Sequence, residues 1–325
     1  MTAHAGEAID VAGAAALLAR AEAVTVLSHV NPDADTLGSA LALALALERS
    51  GTAVQVSFPA PHVLPRSLHV LPRTDLIVAP EALGTEHELV VVVDCSTAER
   101  VGELGTVLGA AQTSLIIDHH RTNPGFGDRY LIDADAQSTC TVVEQILRSW
   151  PVEIDRQIAT CLYAGLVTDT GGLARAHADS LRLAARLLET GIDGPHLLRE
   201  LLDSHPFAWL PMLGEVLGRA RLEPGAAGGR GLVHTVVRSG DAAEVGFEEV
   251  ESVVDIVRTT AEAEVAAVIK EQEPGRWTVS LRSRGDTDVA AVAVALGGGG
   301  HRGAAGYGAC GDYDTVLTQL REALG

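Results

Sequence analysis

Three short runs of branched aliphatic residues, Val24 to Ser28, Leu89 to Val93 and Leu115 to Ile117, each deliver ionisable side chains as they end. The first runs into His29-Val30-Asn31-Pro32-Asp33-Ala34-Asp35, the second into Asp94-Cys95-Ser96 and the third into Asp118-His119-His120. Continuous apolar runs of this length suit strands buried on both faces, as in a parallel sheet covered by helices. Ligands of such sheets collect beyond the carboxyl ends of the strands. His29, Asp33, Asp35, Asp94, Asp118, His119 and His120 are therefore expected along one rim. A further acid, Asp169, ends the helical stretch Asp155 to Thr168, just before Thr170-Gly171-Gly172, whose glycines can stop a helix.

The alternation continues with a helix from about Thr36 to Arg49 and a strand at Val54 to Phe58, which predicts an α/β fold built on a doubly wound parallel sheet. Helical patterns follow at about Ser138 to Trp150, Asp155 to Thr168, Ser180 to Thr190 and Gly194 to Leu202. The Gly-rich segment Glu223 to Gly231 leads into a different pattern. Strand Leu232 to Arg238, helix Phe247 to Arg258, a hairpin from Ala263 to Arg282 turning at Glu273-Pro274-Gly275, and helix Asp288 to Leu296 describe a smaller α+β domain. A glycine run at Gly297 to Gly300 and a closing helix from about Tyr313 complete it. The length of 325 residues suits two domains, with expected bounds 1–203 and 204–325.

Acidic residues outnumber basic ones 43 to 24, a net charge of −19. Such a surface repels a long polyphosphate, so long duplex DNA is not an expected partner. Divalent cations held by some of those carboxylates would reverse the local sign and admit a short phosphate-bearing substrate. Four cysteines without a C-x-x-C pair argue against a thiolate zinc site and a disulfide framework. The longest apolar stretch, Ala40 to Leu47, falls far short of the roughly 18 residues that span a bilayer, and no targeting segment is visible, so a cytosolic protein without a membrane partner is expected. Lys270 is the only lysine; arginine suits bidentate phosphate contacts, but codon bias accounts for the skew.

Taken alone, His29-x-x-x-Asp33-x-Asp35 reads more readily as an Asp-rich turn with Asp35 capping the following helix. The combined set is harder to explain that way. Histidines and carboxylates without paired thiolates favour hard or borderline ions, manganese or magnesium before zinc. The donors exceed one tetrahedral site and suit two ions roughly 3.5 to 4 Å apart, bridged by a carboxylate and fit for phosphoester hydrolysis. Gly297 to Gly300 with His301 has the composition of an anion-binding nest. Arg282 and Arg284, near the end of strand Trp277 to Leu281, are candidate guanidinium partners.

Five ordered motifs, HVNPDADTLGS (29–39), VDCS (93–96), DHHRTN (118–123), VTDTGG (167–172) and GGGGHRGAAG (297–306), together resemble the DHH phosphoesterase superfamily with its DHH-associated C-terminal domain. The length is similar to that of its nanoRNase and pAp phosphatase group. The resemblance implies hydrolysis of short oligoribonucleotides to mononucleotides, and of 3′-phosphoadenosine-5′-phosphate (pAp) to AMP. It implies one ion, most often manganese with magnesium or cobalt as alternatives, on His29, Asp33 and Asp94. A second would sit on Asp35, Asp94, His119 and Asp169, with Asp94 as the bridge. His120 would face the scissile phosphate with Asp118 supporting it, and Asn123 would orient the phosphate. His301, Gly299, Gly300 and Arg282 would hold a phosphate or nucleotide end, in a cleft between the domains. Ala34 departs from the glycine common between the two aspartates. Relatives that cleave cyclic di-AMP or its linear product pApA supply the alternative, and a non-catalytic nucleotide-binding regulator is the alternative of another class. Against the regulator, every expected donor is present. RecJ exonucleases carry an additional oligonucleotide-binding domain, membrane-bound cyclic di-AMP phosphodiesterases carry spanning helices, and family II pyrophosphatases lack the second domain's motif. A homodimer is expected by analogy.

Overall fold

The computed structural model describes residues 6–325, which form two units, the first ending at Ser204 and the second spanning His205–Gly325. In the first, strands β1 (Glu7–Ala8), β2 (Ala23–Leu27), β3 (Ala53–Ser57), β4 (His87–Val93), β5 (Ala111–Asp118) and β6 (Arg129–Ile132) make one sheet in the order β1-β6-β5-β4-β2-β3. Every pairing in it is parallel.

The aliphatic runs are unbroken because both faces are covered. On one face Val24, Val26, Val91, Val93, Leu115 and Ile117 join a core with helices α1 (Val11–Leu18) and α2 (Ala34–Arg49). On the other, Leu27, Val90, Val92 and Ile116 pack with Val101 and Leu104, just ahead of the short α3 (Gly105–Ala110). The expected doubly wound sheet is therefore present. Strands β1 and β6, at one side of the sheet, and helices α1 and α3 were not expected. Two residues of β1 and the mixed Arg-Tyr-Leu-Ile of β6 carry too little periodicity to register.

Helix α2 is buried from Ala34 through Leu47, enclosed by the sheet and by α4 (Thr139–Ser149) and α5 (Arg156–Asp169). Its pattern is apolar all round, as expected of a helix without a solvent face. Helices α6 (Ala178–Glu189) and α7 (Gly194–Leu202) finish the unit. Both are amphipathic, burying Leu183, Leu187 and Leu197.

The second unit begins with α8 (Trp209–Gly218) and is built on a sheet of β7 (Arg221–Glu223), β8 (Leu232–Val237), β9 (Val265–Glu273), β10 (Arg276–Ser283), β11 (Gly299–His301) and β12 (Ala304–Cys310), in the order β11-β12-β10-β9-β8-β7. Only β8 and β9 run parallel. A turn, α9 (Ala226–Gly229), follows β7 where an unstructured loop was expected. Helix α10 (Phe247–Val257) joins α8 on one face over Val253, Val254 and Val268. Helices α11 (Val289–Ala295) and α12 (Tyr313–Leu324) cover Trp277, Val279 and Leu281 on the other. Lys270 lies on the α10 face, 2% exposed, its Nζ donating to Ser280 Oγ at 2.6 Å and to Glu251. Among the described residues no helix is long and apolar enough to cross a membrane.

The glycine run is not the nest expected from its composition. Gly297, with φ at +84°, ends α11 in a left-handed cap, and Gly298 N donates back to Ala293 O at 2.7 Å. Gly299, Gly300 and His301 then form β11, paired with Gly306, Ala305 and Ala304 of β12. A Cβ on Gly300 would lie 2.6 Å from Ala304 O, so close strand approach is what calls for glycine there.

Candidate metal centre

Strands β2 and β4 are neighbours, but the chain leaves them in opposite directions, to β3 on one side and to β5 and β6 on the other. Their carboxyl ends flank the point where the strand order reverses, the position at which an open α/β sheet leaves a crevice. His29 follows β2 closely and Asp94 follows β4 directly. Thr36 Oγ1 donates to Val93 O at 3.1 Å, fastening the start of α2 to the end of β4.

His29 is 2% exposed. Its Nδ1 donates to Val30 O at 2.8 Å, which turns Nε2 and its lone pair toward the carboxylates. Nε2 is buried without a hydrogen-bond partner. It stands 3.6 Å from Asp33 Oδ2 and 3.5 Å from Asp94 Oδ2. Those separations are too long for hydrogen bonds. They are close to the spacing of two donors about 2.1 Å from a shared cation, which stand about 3.0 to 3.4 Å apart.

Asp33 divides its carboxylate. Oδ1 accepts from Asp35 N and Thr36 N, both at 3.0 Å, and so caps α2, while Oδ2 faces His29. The cap is therefore Asp33, not Asp35 as a reading of the turn alone suggested. Asp94 is divided as well. Oδ2 faces His29, whereas Oδ1 lies 3.5 Å from His119 Nε2 and accepts from Thr139 Oγ1 at 2.9 Å. Its backbone is left-handed, φ +59°, a costly state for a non-glycine that strand β4 and the Ile117 carbonyl, accepting from Asp94 N at 3.0 Å, hold in place.

Asp35 is fully buried at the amino end of α4. Its Oδ1 accepts from Cys140 N at 2.9 Å, and its Oδ2 from Thr139 N at 2.6 Å. That Oδ2 is also 3.7 Å from His119 Nε2. The same imidazole nitrogen is 3.3 Å from Asp169 Oδ2, while His119 Nδ1 is held by Ala136 O at 3.2 Å. Asp169 reaches the site because α5 presses against α2. Gly165, one turn before it, leaves no space for a side chain: a Cβ would sit 2.5 Å from Asp35 Oδ1.

One donor atom from each of His29, Asp33 and Asp94, and one from each of Asp35, Asp94 and His119, gather within 4.8 Å. The electrostatics of the cluster are those of a cation site. Burial, and then the charges of neighbouring aspartates, hold the Asp35 and Asp169 carboxyls well above the usual carboxylate range. Burial and Arg100 oppose a proton on His29, yet Asp33 and Asp94 outweigh them and raise its pKa to about 9. Positive charge is what this pocket lacks. Oxygen and imidazole donors around an orphaned buried nitrogen fit divalent cations.

Asp118 has a different task. Fully buried, its Oδ1 accepts from His119 N at 2.8 Å, His120 N at 3.2 Å and His120 Nδ1 at 2.8 Å. Burial would lower the pKa of His120, but the Asp118 bond raises it. Asp118 Oδ2 accepts from Asn123 Nδ2 at 2.6 Å. Here the expectation for Asn123 needs correction: Nδ2 also donates to Cys95 O at 2.9 Å, and Oδ1 accepts from Gly125 N at 2.9 Å. An amide with both hydrogens and its oxygen engaged within the protein braces the loops around Asp118 and does not orient a phosphate.

In the second unit Arg282 donates from Nη1 to Leu281 O at 3.1 Å, with Nε 3.8 Å from Asp255 Oδ1. Arg284 is committed to Thr259 O and Thr260 O at 3.3 and 3.0 Å. Two residues that touch the first unit's cluster were not singled out from the sequence. Thr139 was hidden behind Ser138, the cap of α4. Arg100 follows Asp94 by six positions and its charge reaches His29, Asp33 and His120; its backbone O accepts from Val30 N at 2.9 Å and its N donates to Thr97 O at 3.2 Å.

Residues 23–166 match the DHH family, N-terminal domain, and residues 228–325 match the DHHA1 domain. Over 311 residues the chain is 31% identical to the bifunctional oligoribonuclease and PAP phosphatase NrnA of Thermus thermophilus, covering 93% of this chain and 90% of that one. The chain belongs to the DHH family. It is also 28% identical, over 95% of its length, to the cyclic-di-AMP phosphodiesterase GdpP of Geobacillus thermodenitrificans, of which it spans 48%. In fold it is similar to an exopolyphosphatase-related protein from Bacteroides fragilis, with a TM-score of 0.84 at 22% identity, covering 97% of this chain and 95% of that one.

Proposed function

We propose that this DHH-family phosphoesterase hydrolyses short oligoribonucleotides to mononucleotides and pAp to AMP, with two divalent cations, manganese foremost. The observation that carries the reading is the division of Asp94, one oxygen toward His29 and the other toward His119. That arrangement suits a shared ligand between a position on His29 and Asp33 and another on Asp35, His119 and Asp169. Two divalent cations held there would neutralise phosphoryl charge and supply an ionised water near neutral pH.

The remaining work falls to the chain's own groups. Asp118 takes His120 Nδ1, so proton exchange with a substrate falls to His120 Nε2, which is positioned to stabilise a phosphoryl oxygen or protonate the leaving oxygen. Arg100 offers a guanidinium to a phosphate approaching the cluster. From the second unit, Arg282 and His301 would bind a terminal phosphate or nucleotide end, with Gly299 and Gly300 placing His301 on β11. Likeness to NrnA along almost the whole of both chains supports this substrate class over cyclic di-AMP, because the likeness to GdpP spans less than half of that protein.

The test is turnover of pAp, a dinucleotide, a five-nucleotide RNA and cyclic di-AMP, side by side with manganese. Faster hydrolysis of the first three is expected. Preference for cyclic di-AMP would reassign the substrate, and no turnover of any with full metal content would refute the enzyme.

A further inference from the structure

We infer that Thr139 is a positioning residue that orients the shared carboxylate Asp94 toward the His119 side of the cluster, and that its hydroxyl sets cation affinity there selectively. The inference rests on the two-cation reading above. Thr139 is fully buried as the first residue of α4. It makes two contacts with two different aspartates: its hydroxyl donates to Asp94 Oδ1 at 2.9 Å, and its backbone N–H donates to Asp35 Oδ2 at 2.6 Å. Both oxygens lie on the His119 side, at 3.5 and 3.7 Å from His119 Nε2. The opposite oxygen, Asp94 Oδ2, faces His29 and takes no contact from Thr139.

The consequence is an asymmetry. Hydrogen bonds from outside the ligand shell fix the rotation of a carboxylate, and their removal typically weakens a metal about 10- to 100-fold. Removing the Thr139 hydroxyl frees Asp94 Oδ1 to turn while leaving the backbone contact to Asp35 in place. The position on Asp35, Asp94, His119 and Asp169 should then suffer more than the one on His29, Asp33 and Asp94, where Asp33 and His29 are held independently by the cap of α2 and by Val30 O.

The experiment titrates the metal-free wild type, Thr139→Val and Thr139→Ser with manganese alone, reading free ion by electron paramagnetic resonance, and records melting of each metal-free protein. Wild type should bind two ions. Thr139→Val should keep one at wild-type affinity and bind the other about 10- to 100-fold more weakly, with metal-free melting unchanged, and Thr139→Ser should bind as wild type. Wild-type affinity for both ions in Thr139→Val, equal weakening of both, or no rescue by serine would overturn the inference. Should Thr139→Val fail to fold, Thr139→Ala carries the same expectation, since it too removes the hydroxyl and keeps the N–H. Fewer than two ions on the wild type would instead overturn the two-cation reading.

Discussion

The adjacent histidines differ in what holds them, and in the proposed reading that difference separates ligation from proton transfer. His119 has Nε2 within 3.3 to 3.7 Å of Asp169, Asp94 and Asp35, whereas His120 is tied through Nδ1 to Asp118. His119→Ala is expected to weaken manganese binding. His120→Ala should keep the metal and lower kcat about 10²- to 10⁴-fold, the usual worth of a positioned acid or base. Equal metal loss in the two variants, measured by elemental analysis, would refute the division. Asp94→Ala should abolish turnover and lower metal content at both positions, because its two oxygens face His29 and His119 respectively; two tightly retained ions would exclude its bridging role. Most of these residues were legible in the sequence because each follows an aliphatic run. Asn123 was misjudged for the same reason that Thr139 was overlooked: a polar residue beside a motif says nothing of whether its hydrogens point to substrate or to protein.

Among the elements, the α2–α5 contact decides whether Asp35 and Asp169 can meet His119. Gly165→Ala places a methyl 2.5 Å from Asp35 Oδ1. It should cost about 1 to 3 kcal/mol of stability from overpacking and weaken manganese binding. A variant with wild-type melting and metal content would show that α5 can retreat without disturbing the site. The pattern of residues announced β2, β3, β4 and β5 and helices α2 and α4 to α7, since buried strands and amphipathic helices differ in period. It could not announce β1, which is two exposed residues, or β6, which is mostly half-buried, nor that Gly297 to His301 would be spent on a helix stop and a strand. Glycine composition is common to nests, caps and close pairings, and only the partner strand β12 distinguishes them.

At the scale of the whole molecule, bound cations should be a measurable part of stability. A ligand that binds only the folded state at 100 times its dissociation constant adds about 2.7 kcal/mol, so manganese should raise the melting temperature of the wild type and leave that of Asp94→Ala nearly unchanged. An equal rise in both would place the stabilising ions elsewhere. The second unit is expected to act on KM. Arg282→Ala and His301→Ala should keep metal content and lower kcat/KM for pAp by roughly 10- to 150-fold, the equivalent of about 1.5 to 3 kcal/mol for a charged hydrogen bond. Arg284→Ala, whose guanidinium is occupied by Thr259 O and Thr260 O, is the control. Unchanged kinetics in Arg282→Ala and His301→Ala would remove the second unit from substrate capture.

The enclosure of Lys270 makes the second unit a reporter on itself. It carries the chain's only side-chain amine, and that amine is shielded between β9, β10 and α10 by Glu251 and Ser280. An amine-selective acylating reagent can modify it only when α10 lifts from the sheet, so acylation at this one position would clock the opening of that layer, with no label introduced by mutation.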